Sequence, residues 1–487
     1  MINRARGSDS LGRLQYWLNK PVDASSVIFF RVCFGLVMAG WAWNYLSTGR
    51  VSRLYIRPEF HFPYWGFEWV KPLPGDWMYA PFVALALLGL MIAVGCWYRI
   101  SAMLFAVTMT YVFLLERTNY QNHYYLICLV SWCLPLLPLN RLVSVDVWQQ
   151  RVQERAWVPR WVLGLLQFHV GITYLYGGIA KLTPDWMLGQ PMGIYLATKS
   201  SWPVVGSWFA DENAGVLFSY GGLLFDLLIV PFLIWKKTRV LAFLGCAMFH
   251  LSNALLFQIH IFPWFMIAAT TLFFDPSWVR RVLASGNSEA TLKIADFEPI
   301  ARLSLREKAF ASLLLFYMGF QVVWPLRSRL FAEETSWTER GHLFSWRMML
   351  RTKEVGLGYA IRNPKTGEVS NANHVKYLDE EQAEKFGRDP INIVSLAKFL
   401  ADQWEKENGV RPEVYAFVAA SLNGRKPQLM IDPNLDLASL SRKEIFERTF
   451  VMPLKEPLRS PAWDIPVAQW KEHMEIPELS FMKKKSN

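Results

Sequence analysis

Apolar residues in this chain come in long blocks, and nothing else constrains its fold as strongly. A helix needs roughly 17–25 mostly apolar residues to cross the hydrocarbon of a bilayer, because each residue rises only about 1.5 Å. Nine stretches read as such helices, at about 26–46, 78–97, 100–115, 123–139, 161–181, 215–235, 239–257, 260–275 and 308–325. Those at 100–115, 123–139 and 260–275 are short enough to tilt little or to be partly re-entrant. With 53% hydrophobic residues and 23 Trp, the chain is too apolar for an ordinary soluble enzyme. The expected fold is a polytopic α-helical membrane protein of about nine transmembrane helices with a C-terminal extracytoplasmic α+β domain. No cleavable signal peptide is expected, since Met1–Lys20 is polar and basic and no small-residue cleavage site follows the first apolar run.

A net charge of +11 would suit a nucleic-acid binder, but the cations sit in alternate connectors. Arg4, Arg6, Arg13 and Lys20 precede the first apolar block, and Arg99 follows the second. Arg141, Arg151, Arg155 and Arg160 come next, then Lys236, Lys237 and Arg239, then Arg280, Arg281, Lys293, Arg302, Arg306 and Lys308. The connectors between hold Arg117 alone, Lys199 alone, or none; only 47–77, with Arg50, Arg53, Arg57 and Lys71, departs from the alternation. Cytoplasmic connectors carry the excess of Lys and Arg. The expected orientation is therefore a cytoplasmic N-terminus and, after nine crossings, an extracytoplasmic tail. Membrane lipid is the expected surrounding and no nucleic acid is an expected partner. The location is a bacterial inner membrane, or the endoplasmic reticulum in a eukaryote. All five cysteines (Cys33, Cys96, Cys128, Cys133, Cys246) lie in or beside apolar blocks, so the tail is not stapled by disulfides.

Residues 1–325 read as a helical membrane domain carrying the active site, and 330–487 as an extracytoplasmic α+β domain that binds substrate. In the latter, Gly356–Ile361 and Val414–Leu422 have strand composition, and Ile393–Asn408 has helical spacing of apolar residues. Asn423-Gly424 is a strong hairpin signal.

Lys181 is the only charged residue between Trp161 and Leu182. A cation at hydrocarbon depth costs several kcal/mol, so such a lysine is a functional candidate unless it snorkels to the interface. Desolvation favours its neutral amine, the form a base requires. Asn122 and His123 open the fourth block, and His250 and Asn253 lie in the outer half of the seventh, with His260 just after it. Three separate blocks thus bring polar groups to the same expected level. Tyr174 lies in the same block as Lys181. Arg31 and Asp226 are expected to be structural intramembrane charges that neutralise one another or cap backbone groups, away from that level. No Cys-x-x-Cys or His-Glu-x-x-His spacing is present, so no metal is expected.

These residues fall into ordered motifs. They include Lys20-Pro-Val-Asp-Ala-Ser-Ser-Val-Ile-Phe-Phe-Arg31, Pro72-Leu-Pro-Gly-Asp-Trp-Met-Tyr79, Asn122-His123 and Gly178-Ile-Ala-Lys181-Leu with Asp185-Trp186. Gly221-Gly-Leu-Leu-Phe-Asp226, Phe249-His250 with Asn253, Ser345-Trp-Arg-Met-Met349 and Asp432-Pro-Asn-Leu-Asp436 follow. In this arrangement the chain resembles the vitamin K-dependent γ-glutamyl carboxylase family, from about Lys20 to about Pro457, as a compact, bacterial relative. The resemblance implies carboxylation of protein glutamate to γ-carboxyglutamate, coupled to oxidation of reduced vitamin K (a naphthohydroquinone) to its epoxide. Dioxygen and carbon dioxide are co-substrates. It implies catalytic roles for Lys181, as the base that deprotonates the hydroquinone, and for His123 and His250. Asn122, Tyr174, Asn253 and His260 would hold quinone or substrate. Partners would be a glutamate-containing protein or peptide and a lipid-soluble quinone. Arg351-Thr-Lys353 stands where the family has histidines, which bears on peptide recognition more than on quinol chemistry. The alternatives are a quinol epoxidase that does not carboxylate glutamate, and a non-catalytic polytopic transporter or scaffold.

Overall fold

The computed structural model describes residues 16–257, 261–283, 304–475, 477 and 479. Its main helices are α1 (Ser25–Ser47), α2 (Tyr79–Val94), α3 (Tyr98–Leu114), α4 (Asn122–Cys133), α5 (Arg160–Ala180), α6 (Glu212–Ile234), α7 (Arg239–Leu256), α8 (Phe262–Thr270), α9 (Leu305–Val323) and α10 (Pro390–Asn408). Among the described residues six helical segments are long and apolar enough to cross a membrane: Ser25–Ser47, Gly75–Val94, Arg160–Ala180, Glu212–Ile234, Arg239–Leu256 and Leu305–Arg329. The chain is a multi-pass membrane protein, with six such helices in place of the expected nine.

The three stretches that fall out are those already short in sequence, and each has a local reason. Helix α3 has 17 residues, about 25 Å at 1.5 Å per residue, against a hydrocarbon core of about 30 Å. The apolar run over 123–139 is longer than its helix, because α4 gives way at Cys133 to a 3₁₀ turn, Leu134–Leu136, that contains Pro135. Helix α8 has only nine residues before a 3₁₀ turn, Thr271–Phe273. Counting apolar residues measured the run and not the helix within it.

Small residues let the first helices approach closely. A Cβ on Gly89 of α2 would lie 2.9 Å from the carbonyl oxygen of Gly35 and 3.0 Å from the amide nitrogen of Ala39, so α1 and α2 meet backbone to backbone. At the opposite end from the C-terminal sheet, β1 (Pro21–Asp23) pairs antiparallel with β2 (Trp157–Pro159). There, Asp23 pairs with Arg280, and Arg31 donates to the carbonyls of Leu139 (2.8 Å), Ala93 (3.0 Å) and Val143 (2.7 Å). Arg31 thus caps backbone and does not meet Asp226. Asp146 accepts from the amides of Trp97 (2.8 Å) and Tyr98 (3.0 Å) at the start of α3. Burial opposes ionisation of Asp146, but hydrogen bonds from Asn140, Tyr98, Trp97 and Arg151 outweigh it and hold the carboxyl below its ordinary range.

The C-terminal part builds an antiparallel sheet in the order β4-β3-β5-β6, with β3 Lys353–Arg362, β4 Val369–Ala372, β5 Glu413–Leu422 and β6 Gln428–Leu429. Its core joins α10 to the sheet through residues such as Ile393, Leu396, Val414 and Val418. Phe62, from the connector between α1 and α2, belongs to that core and stacks on Phe386 at 5.7 Å. The same side is fastened by Arg53–Glu381 (2.8 Å), by Gln382 donating to Glu116 (2.7 Å), and by an Arg117–Asp389 ion pair. The sheet therefore caps the ends of α1 and α3.

Candidate functional site

Lys181 is the residue at which α5 stops, and it is only 6% exposed. Its ammonium donates to Asp226 Oδ2 at 2.5 Å and to the carbonyl of Gly177, one turn back on α5, at 3.2 Å. The ring of Trp186 lies 5.2 Å from Nζ, and its indole N–H donates to the carbonyl of Ser219 on α6 at 2.7 Å. Two glycines make the room. A Cβ on Gly177 would stand 3.0 Å from Asp226 Oδ2 and 3.0 Å from Cε of Met348; one on Gly222 would meet Cε of Lys181 at 3.9 Å.

Asp226 departs from what its sequence position implied. It was expected to answer Arg31 or to cap backbone away from the site, yet it is the direct partner of Lys181. A buried charge needs a nearby opposite charge and further hydrogen bonds, and here α6 provides the charge and α5 the carbonyl.

Tyr174, two turns before Lys181 on α5, shares a hydrogen bond with His250 Nε2 at 2.6 Å, and its hydroxyl lies 3.8 Å from Cys246 Sγ. Nδ1 of His250 is buried and has no hydrogen-bond partner among the described residues. Phe262 at the start of α8 stands between the two histidines: its ring stacks on His123 at 5.3 Å and meets His250 edge-on at 5.6 Å. Phe225 and Phe249, the neighbours of Asp226 and His250, stack at 4.2 Å. The structure thus brings Lys181, Asp226, Tyr174, His250, Phe262 and His123 into one apolar-walled region across α4, α5, α6, α7 and α8.

The other expected residues lie differently. Asn122 donates to the carbonyl of Arg347 (3.3 Å) and accepts from Tyr120 (3.0 Å), so it fastens α4 to the segment before β3. Asn253 is half-buried one turn beyond His250, and its carbonyl accepts from the Phe257 amide at 2.9 Å. His260 lies outside the described residues. The sequence reading missed Asp226 as a site residue, and it missed the Phe225–Phe249 stack. A usable signal existed: Phe-Asp on α6 and Phe-His on α7 repeat one pattern, an aromatic followed by a polar group inside an apolar helix.

The segment after α9 roofs the region. Trp346 is fully buried against Tyr125 of α4 (5.0 Å), and Met349 and Leu350 pack with Ala180 and Trp186. A narrow cleft, little larger than a water molecule, lies between Tyr176, Ile179 and Ala180 on α5 and Ser345, Arg347 and Arg329. Beyond the roof, Lys353 donates to Glu339 (2.8 Å) and to the carbonyls of Trp337 (2.8 Å) and Arg388 (2.8 Å). Burial pushes the Lys353 amine below its usual range against the pull of Glu339. Burial, then Arg351, Arg347 and Lys353, hold His342 well below the usual imidazole range. Among the described residues no group of three His, Cys, Asp or Glu is placed to hold a metal ion.

Two family models match. Residues 19–278, more than half of the chain, match the model described as the HTTM domain. Residues 306–457 match the model described as the lumenal domain of vitamin K-dependent gamma-carboxylase. No solved structure matches the chain.

Proposed function

The chain belongs to the HTTM-domain family, and from its second match we propose that it is an integral membrane carboxylase that couples oxidation of reduced vitamin K to carboxylation of protein glutamate. The observation that carries this reading is the burial of the Lys181 amine within one hydrophobic region that also holds Tyr174 and two histidines. A lipid-soluble aromatic diol suits such surroundings. Phe262 and Phe249 are aromatic neighbours of His250, the absent side chains of Gly177 and Gly222 let the ion pair sit against α5 and α6, and the buried Nδ1 of His250 is without a partner among the described residues. Lys181, His250 and Phe262 are the residues that would hold the ring.

When bound, a reduced naphthoquinone supplies, on reaction with dioxygen, the strong base that takes the γ-proton of a glutamate whose carbanion then adds carbon dioxide. The protein's own part is to move one proton and keep water out. Lys181 Nζ accepts a phenolic proton when its lone pair is free, and Asp226 Oδ2, at 2.5 Å, is the atom that exchanges a proton with it. The roof of Met349 and Leu350 over Trp186 would exclude water that quenches a carbanion.

In this reading residues 1–325 form the catalytic membrane domain and 330–487 an extracytoplasmic domain that receives the glutamate-bearing peptide. Orientation is supported by the charge at one end of the bundle. Arg99, Arg141, Arg151, Arg155, Arg160, Arg280 and Arg281 gather at the end bearing β1 and β2, and an excess of basic residues marks the cytoplasmic face. Substituting Lys181→Ala abolishes hydroquinone-dependent incorporation of labelled bicarbonate into a glutamate peptide; retained incorporation overturns the assignment. Assaying epoxide separately identifies a quinol oxygenase if epoxide forms and carboxylated peptide does not.

A further inference from the structure

We propose that Asp185 and Arg425 form a positioning pair through which the C-terminal sheet sets the place of the Lys181 amine. Arg425 sits at the turn between β5 and β6, where Asn423 and Gly424 both take positive φ (52° and 73°). Its guanidinium grips Asp185 with two parallel bonds, Nη1 to Oδ2 at 2.6 Å and Nη2 to Oδ1 at 2.7 Å. Asn423 adds a third, Nδ2 to Oδ2 at 2.8 Å. Asn423 is itself fixed to the sheet, because its amide donates to Thr352 O (2.9 Å) and its side-chain oxygen accepts from Thr352 N (2.9 Å) just ahead of β3. The Arg425 and Asp185 side chains are 10% and 18% exposed, so a fork of charge-assisted bonds is sheltered from water.

From Asp185 the connection to Lys181 is short and stiff. The Thr183 amide donates to the Lys181 carbonyl at 2.8 Å, and the Thr183 hydroxyl caps the short helix Pro184–Met187 by accepting from Trp186 N at 3.4 Å. Trp186 then touches both halves of the buried pair's support, with its ring 5.2 Å from Lys181 Nζ and its indole N–H on Ser219 O of α6, the helix that carries Asp226. A displacement of the β5–β6 turn is therefore delivered to the Lys181–Asp226 contact through four residues. Simple docking of the sheet on the bundle does not need this pair, since Arg53–Glu381 and Arg117–Asp389 fasten it at the ends of α1 and α3.

The effect on turnover rests on Lys181 being the base; the effect on the amine's position does not, and one experiment reads both. Full-length protein in detergent, with Asp185→Asn, Arg425→Gln, Arg425→Lys and the Asp185→Asn/Arg425→Gln pair, is treated with N-hydroxysuccinimidyl acetate. Acetylation of Lys181 is measured by mass spectrometry against exposed Lys236 in the same molecule. The two single neutral variants raise relative Lys181 acetylation at least fivefold, the double variant no further, and Arg425→Lys, which keeps the charge and loses the fork, lies between. In hydroquinone-dependent carboxylation the same variants lower kcat by tenfold or more with KM for the quinol little changed. Acetylation within twofold of wild type in the monodisperse variants overturns the proposal, and Arg425→Lys supplies that comparison if the neutral variants aggregate. Raised acetylation in a protein whose wild type does not carboxylate leaves the positioning pair standing and removes the carboxylase reading.

Discussion

Breaking the Lys181–Asp226 contact from either side leaves a charge stranded in apolar surroundings, and the cost is large enough to measure. At 2.5 Å and an effective dielectric of about 20, the attraction between unit charges is about 6–7 kcal/mol before desolvation is subtracted. Removing one partner of a buried pair typically costs about 3–5 kcal/mol, because the survivor stays buried without an answer. Lys181→Met and Asp226→Leu each fall in that range, whereas the double variant Lys181→Met/Asp226→Leu replaces the pair by hydrocarbon and costs far less than their sum. The expected coupling is about 2–3 kcal/mol or more, well beyond the ~0.5 kcal/mol scatter of independent sites. Unfolding in mixed micelles, followed by tryptophan fluorescence, yields the four free energies. The cycle needs no catalysis, so it tests the pair whether or not the protein carboxylates anything. Additive single effects would refute the reasoning and reduce the contact to a neighbourly accident.

Two further outcomes concern the C-terminal part. His342 is kept neutral in the fold, so an unfolded chain takes up a proton below about pH 6.5 that the folded one refuses. Stability therefore falls as pH drops through that value, approaching ~1.4 kcal/mol per pH unit, and His342→Gln flattens the slope between pH 5 and 6.5 in unfolding titrations. An unchanged slope would locate the sensitivity elsewhere. Lys353→Met deprives Glu339 and two carbonyls of their shared donor and should cost about 3–5 kcal/mol, seen as early proteolysis within β3; a loss under ~1 kcal/mol would mean Arg351 alone satisfies Glu339.

How much of this was open to reading depends on what each residue's signal is local to. The singular charge of Lys181 is a property of its own block and is visible without any fold. The Asn423-Gly424 turn is likewise local, because only residues tolerant of positive φ can make it. The number of spans was misjudged where helix length and apolar run length part company, at Pro135 and at the turn after Thr270. Asp226 was misread for a different reason. Its partner lies 45 positions away, and composition alone offered Arg31 as an equally plausible mate. That choice was settled by carbonyls: Ala93, Leu139 and Val143 turn toward Arg31 at a helix end and loop, and satisfy the guanidinium without any carboxylate.

The place where α5 ends explains the rest of the site. A lysine at the last turn of an apolar helix ordinarily marks the water interface, as its side chain can extend outward. Here α5 ends well inside the bundle. Asp226, its contact, lies about 21 Å along α6 from that helix's first residue, Glu212, counting 1.5 Å per residue. The gap above Lys181 is filled by the short helices Pro184–Met187, Met192–Ala197 and Gly206–Phe209, and the first turn of α6 packs on them so closely that a Cβ on Gly215 would lie 3.0 Å from the amide nitrogen of Gly193. An early helix end roofed by later chain can sink an amine without a break inside a spanning helix. The same construction obliges the lysine to find its counter-charge on a neighbour, since its own helix offers only carbonyls. A carboxylate on α6 therefore follows from where α5 stops, and the amine's surroundings are set by two helices and by the chain that covers them.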